Sequence, residues 1–125
     1  MMNFETLHKQ QYINIETFRK NGEGVRTPVW FVREGEVVYV YTVADSGKVK
    51  RVRREPHVNI APCKMDGTPV GEWFPALAHE LPDEETSHRV DKLMDKKYGL
   101  MKKLFGLTGG MKKQKHTVLE IRLGE

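Results

Sequence analysis

Val37-Val38-Tyr39-Val40-Tyr41-Thr42-Val43, followed two residues later by Ser46-Gly47-Lys48-Val49-Lys50-Arg51-Val52-Arg53-Arg54-Glu55-Pro56-His57-Val58, is the stretch whose reading decides the fold. The first run is β-branched and aromatic with little polar alternation, which predicts a strand covered on both faces, as where a barrel strand also meets a dimer partner. The second predicts a short helix over 46–54. Ser46 is a capping residue, Val49 and Val52 fall on one side at three-residue spacing, and Glu55-Pro56 ends the helix.

The helix start reads as an anion site. A hydroxyl, a glycine that lets backbone approach a ligand, the positive end of the helix dipole and flexible cations converge there. Lys48 and Arg51 are three apart and Lys50 and Arg54 four apart, so two neighbouring faces carry positive charge. The same run, read without the strand and Ser46-Gly47 before it, describes an exposed basic helix or a nucleic-acid contact.

Upstream, Tyr12 to Phe18 is rich in β-formers, and Asn21-Gly22-Glu23-Gly24 supplies residues that tolerate a hairpin turn. The return strand is expected over 25–32 and the next strand over 37–43. Pro28 lacks a ladder donor, so its position should face an edge, a bulge or a ligand. Downstream, His57 to Cys63 and Val70 to His79 form a second β pair. Pro82-Asp83-Glu84-Glu85 opens a longer helix with Val90, Leu93, Met94, Tyr98, Met101 and Phe105 near helical period. Gly106 and Gly109-Gly110 break it before a closing strand over 116–123. About six strands with two helical insertions predict a small all-β barrel, because closing a sheet removes exposed edges.

These residues resemble a known family. The Ser-x-Lys-x-Lys/Arg helix after an apolar strand, with a Pro-x-Val entry into the next strand, is similar to the split-barrel flavoproteins related to pyridoxamine 5′-phosphate oxidase. Arg26-Thr27-Pro28-Val29-Trp30-Phe31, Ala61-Pro62-Cys63 and Asp66-Gly67 resemble the branch described as deazaflavin (coenzyme F420)-dependent enzymes. The resemblance runs from about Tyr12 to Leu81. It implies a six-stranded split β-barrel (FMN-binding split-barrel-like) and a homodimer with the cofactor, F420 or FMN, between subunits. It places Ser46 and Lys48 at the cofactor phosphate with Lys50 or Arg51 nearby, and Arg26 and Thr27 near the ring edge on the strand that carries Pro28, Val29 and Trp30. Tyr41 and Thr42 lie on the adjoining strand. Gly47 departs from the family pattern, since pyridoxamine phosphate oxidases carry arginine there, and this weakens transfer of their substrate.

Composition bounds the rest. The 125 residues fit one domain, 1–125, with 38% hydrophobic and 30% charged residues. No apolar run approaches the roughly 20 residues of a membrane span. Met1-Met2-Asn3-Phe4-Glu5 lacks the features of a secretory signal, and with a single cysteine the expected address is the cytoplasm. The net charge of +4 favours anionic partners, and the lysines of the C-terminal third read as a solvated face. Cys63 is expected to be a buried small residue, as no thiol-catalysis pattern accompanies it. The five histidines show no zinc spacing, so no metal is expected. Trp73-Phe74 reads either as barrel core or as a lid from the partner subunit. The function expected is an oxidoreductase exchanging hydride with a small organic substrate, with no catalytic acid–base residue assigned, because the cofactor carries the chemistry. The rivals are a non-catalytic flavin-type cofactor-binding or storage module and, less favoured, a nucleic-acid-binding small barrel.

Overall fold

A computed structural model of the chain describes Leu7, residues 10–99 and residues 115–123. The elements run β1 (Tyr12–Phe18), β2 (Gly24–Val29), β3 (Val32–Glu34), β4 (Val37–Val43), α1 (Gly47–Arg54), β5 (His57–Cys63), β6 (Phe74–Leu81), α2 (Glu84–Tyr98) and β7 (His116–Leu123). The expected positions of Met101, Phe105, Gly106 and Gly109-Gly110 lie outside the described residues. Among the described residues no helix is long and apolar enough to cross a membrane.

All pairings are antiparallel, in the order β2-β1-β5-β6-β7-β4-β3. The two edges of this sheet, β2 and β3, are consecutive in sequence, joined only through Trp30 and Phe31. Extended chain covers at most about 3.6 Å per residue, so the ends of β2 and β3 lie within roughly 11 Å of each other. A seven-stranded sheet whose outermost strands are so tethered must curl into a barrel, with its split between β2 and β3.

This differs from the expectation of one return strand over 25–32 and six strands in all. The break has a visible cause. At Phe31 the backbone N–H donates to the Tyr98 hydroxyl at 3.0 Å, and the carbonyl accepts from Tyr98 Oη at 2.8 Å and Lys97 Nζ at 2.9 Å. Side chains of α2 thus take the polar groups that a neighbouring strand would otherwise satisfy, and the chain can leave one edge and join the other. Trp30 stacks on Tyr98 at 4.3 Å and reinforces the crossing. Tyr98→Phe is expected to destabilise the fold by about 1–3 kcal/mol, the usual cost of leaving a buried backbone group unpaired. Chemical denaturation checks this, and a variant within 0.5 kcal/mol (about the surface-mutation range) would contradict it.

Inside the barrel, Ile13 and Ile15 of β1 meet Val38 and Val40 of β4, Val58 and Ile60 of β5, Phe74, Ala76 and Ala78 of β6, and Leu119 and Ile121 of β7. Val49 and Val52 of α1 join the same core, as their spacing predicts. A second apolar layer lies outside, where Val90, Met94 and Tyr98 of α2 cover Val32, Val37, Tyr39 and Val118. The unbroken apolarity of β4 therefore has its explanation within the chain: Val38 and Val40 face the barrel, while Val37 and Tyr39 face α2.

Candidate functional site

Seven residues of β4 deliver the chain to α1, and the polypeptide turns there with Ser46 as N-cap. Ser46 N–H bonds the Val43 carbonyl, and Lys50 N–H bonds the Ser46 carbonyl, which closes the first helical turn. Ser46 Oγ makes no capping bond; it is buried and has no hydrogen-bond partner. The first-turn N–H groups of a helix have no intrahelical acceptors, and the N-cap hydroxyl here does not supply one.

Arg51 folds back over this helix start. Its Nε donates to Thr17 Oγ1 at 2.7 Å, and a Cβ at Gly47 would lie 2.7 Å from its Nη1. Glycine at 47 thus leaves room for a guanidinium directly above the first turn. Lys48 is half-buried beside it, and burial, together with the Arg51 charge, pushes its ammonium below the ordinary lysine range. Burial likewise lowers Arg51, with the charges of Arg19 and Arg54 adding to the effect. Two cations held against a positive helix end repel each other and the dipole, so a bound anion relieves all three terms.

The other expected site residues are distributed differently. Lys50 points away and pairs with Asp45 at 3.1 Å. Arg26 lies exposed on β2, bonded to Glu16 at 3.0 Å and stacked over Trp73 at 4.5 Å. Thr27 and Pro28 pair with Ile15 and Asn14 on the outermost strand, so Pro28 has the edge position its missing donor requires. Val29 packs against the inner core, while Trp30 belongs to the α2 layer. Thr42 is buried, and Tyr41 lies on the outer face, stacked on His116 at 4.8 Å. The structure therefore gathers Ser46, Gly47, Lys48 and Arg51 into one place and carries Arg26–Val29 on a strand separated from α1 by β1, with Trp30 in the link beyond it. Phe74 is core and Trp73 sits under Arg26 of the same chain. Cys63 is buried, its thiol pushed up to about 11 by burial, which suits packing and not nucleophilic attack.

Sequence reasoning missed Thr17 and Arg19, which reach the helix from β1 and its following turn. The only signal was their place at the end of a strand, and pairing cannot be read from that. Arg53 and Arg54 belong to the same basic run as Lys48 and Arg51. Arg53 instead makes a bidentate pair with Glu80 at 2.7 and 3.0 Å, and Arg54 donates to the Phe18 carbonyl. The Arg53 guanidinium holds the Glu80 carboxyl below the usual carboxylate range. A depressed folded-state value contributes stability above the unfolded value, about 4.3 for glutamate, that disappears as pH falls through the folded one. Arg53→Gln is thus expected to be less stable than wild type at neutral pH, the difference closing in acid. A gap that persists unchanged to pH 2 (about two units below that value) in denaturation would contradict the assignment.

No protein-family model matches the chain, and a comparison with curated protein sequences finds no match. Solved structures do resemble it. A protein of Listeria innocua assigned to the pyridoxamine 5′-phosphate oxidases superposes with a TM-score of 0.70 at 17% identity, covering 98% of this chain and 90% of that one. The haem storage protein HutZ of Vibrio cholerae gives 0.71 at 15% identity, over 99% and 92% of the two chains. An F420 reductase gives 0.64 at 17% identity, over 100% and 95%. The chain has the fold of the pyridoxamine 5′-phosphate oxidase-like split barrels, with the antiparallel sheet and two helices described above. Among the other proteins of this fold is an FAD-binding protein of Mesorhizobium loti, with a TM-score of 0.64 at 15% identity over 97% of this chain and 84% of that one.

Proposed function

We propose that the protein is a cytoplasmic, homodimeric oxidoreductase that holds F420 or FMN by its phosphate at the start of α1 and exchanges hydride with a small organic substrate. One observation carries the reading: a buried, unpartnered Ser46 Oγ at a helix start over which Arg51 is folded, with a desolvated Lys48 alongside. Hydroxyl, backbone N–H groups and two cations match the several acceptor oxygens of a phosphate. The flavin or deazaflavin ring supplies the hydride chemistry when bound. The protein's own groups bind the phosphate and offer the β2 edge, with Thr27, Pro28 and Val29, as a wall for the ring. A second copy of the chain is the proposed cover for that edge, because β2 pairs on one side only.

The test is titration of the purified protein with FMN and riboflavin, and with a deazaflavin phosphate and its phosphate-free core, alongside sedimentation. Phosphorylated forms are expected to bind at least about tenfold more tightly, consistent with charge-assisted hydrogen bonds, and the loaded protein to sediment as a dimer. Equal affinity for phosphorylated and phosphate-free forms, or a monomer with full cofactor affinity, would overturn it.

A binding or storage role without turnover is the second reading, favoured by the likeness to a haem storage protein. Substrate-dependent oxidation of the reduced, cofactor-loaded protein separates the two. Nucleic-acid binding is disfavoured because it needs exposed stacking rings, whereas the large exposed apolar side chains among the described residues are Met65 and Val70.

A further inference from the structure

Outside the barrel, a cleft of about 400 Å³ lies between the first turns of α2 and the adjoining ends of β4 and β7. One wall is a polar stripe of α2. Glu84, Ser87, His88 and Asp91 stand at i, i+3, i+4 and i+7, so all four leave the same face of the helix. The other wall carries Tyr41, Lys115 and His116, with the Tyr41 and His116 rings stacked at 4.8 Å and within 6° of parallel. Two of these residues hold buried polar atoms that nothing satisfies: Ser87 Oγ and His116 Nε2 have no hydrogen-bond partner among the described residues. A helical serine can return its hydroxyl to the carbonyl four residues back, but here the Asp83 carbonyl takes only the Ser87 N–H, at 3.2 Å. Folded proteins leave few such atoms, and two from different elements lining one cleft point to a ligand. The charges point to its sign. Glu84 and Asp91 bring two carboxylates, and Glu84 has no ion pair among the described residues. The charge of Lys115 also acts on Glu80 of β6, so it is shared with a carboxylate elsewhere.

We propose that this cleft binds a planar cation, an amidinium or guanidinium group. Donors along the edge of such a group match the two orphaned acceptors, Ser87 Oγ and His116 Nε2, while the carboxylates of Glu84 and Asp91 balance its charge. With Nε2 accepting, the His116 proton sits on Nδ1. The stacked Tyr41–His116 pair gives the flat face of the cation an aromatic surface. A delocalised planar cation is also more weakly hydrated than an ammonium, so it enters a partly buried cleft at smaller cost. None of Ser46, Gly47, Lys48 and Arg51 lines this cleft, and the inference stands independently of the phosphate site.

The probes are benzamidine and its uncharged analogue benzamide, titrated calorimetrically into the full chain and into Glu84→Gln and Ser87→Ala. Wild type is expected to bind benzamidine at least about tenfold more tightly than benzamide, the difference that one charge-assisted hydrogen bond makes. Glu84→Gln should lose roughly two- to fivefold in benzamidine affinity, as for an exposed ion pair, and leave benzamide unchanged. Ser87→Ala should lose roughly three- to tenfold. It has a second readout, since the apoprotein should melt at or above the wild-type temperature: the hydroxyl makes no bond there, and alanine is the better helix former. Agmatine and N-acetylarginine amide then carry the cation on a free molecule and on a peptide-like one, and the tighter of the two names its source. FMN titrations of both variants should match wild type, so a failure here leaves the phosphate site standing. Equal binding of benzamidine and benzamide by wild type, a preference that both variants leave intact, or a lowered melting temperature in Ser87→Ala would overturn the site.

Discussion

Lys48→Ala is expected to weaken binding of FMN or deazaflavin phosphate by about ten- to a hundredfold, the equivalent of one charge-assisted hydrogen bond of roughly 1.5–3 kcal/mol. The loss should be specific to the phosphate. Riboflavin and the phosphate-free deazaflavin core should bind the variant as they bind wild type, so most of the preference for phosphorylated forms disappears. The folded apoprotein should not suffer. Burial and the neighbouring Arg51 already push the Lys48 ammonium below its ordinary range, which means that its charge is disfavoured in the unliganded fold. Removing that charge removes a repulsion. The core beneath is formed by Val49 and Val52, which the substitution leaves in place. Thermal denaturation of the apoprotein and parallel titrations check both halves. A well-folded variant with undiminished phosphate preference would move the phosphate site elsewhere and remove the main support for the proposed function.

Phe74→Ala is expected to cost about 3–5 kcal/mol of folding stability, the range for truncating a fully buried aromatic ring. Phe74 opens β6 opposite Ile60 of β5 and is only 1% exposed in the barrel core. Its neighbours there come from the other strands and from α1, so a cavity at this point is bounded by elements that cannot collapse independently. With domain stabilities commonly about 5–15 kcal/mol, the variant should retain only a marginal margin at 37 °C (a temperature at which about 4 kcal/mol matters). Urea unfolding measures it. A loss below about 1.5 kcal/mol would mean that the site repacks, as volume-conserving swaps do.

The contrast between Arg51 and Arg53 illustrates what was legible in advance. Both stand in one basic helix, two residues apart. In the fold Arg51 turns back over Gly47, while Arg53 is captured by Glu80 from β6, a residue 27 positions away. Helical spacing says which face a side chain leaves from; it says nothing about which strand waits opposite. The same limit applies to Arg26–Trp30. Their β character and the edge position of Pro28 were readable, but Trp30 turned out to pack under α2 because Tyr98 and Lys97 bind the backbone of the next residue.

By itself the sequence determined the local elements. The apolar run of β4 and the valine spacing and proline stop of α1 are each set by side-chain sterics and burial within a few residues, and the structure reproduces them, whereas the strand expected over Val70 to His79 begins only at Phe74. It also placed Ser46, Gly47 and Lys48 at one helix start, since adjacent residues at a cap must share it. Closure of the barrel was decided only by the tertiary structure. The order β2-β1-β5-β6-β7-β4-β3 brings the two sheet edges back together across Trp30 and Phe31, and α2 supplies the hydrogen bonds that permit the break. So was the meeting of Arg51 with Thr17, and of Arg54 with the turn carrying Arg19 and Lys20. Such contacts join residues more than 30 positions apart, and they come into being when the buried faces of strands and helices pack into a common core.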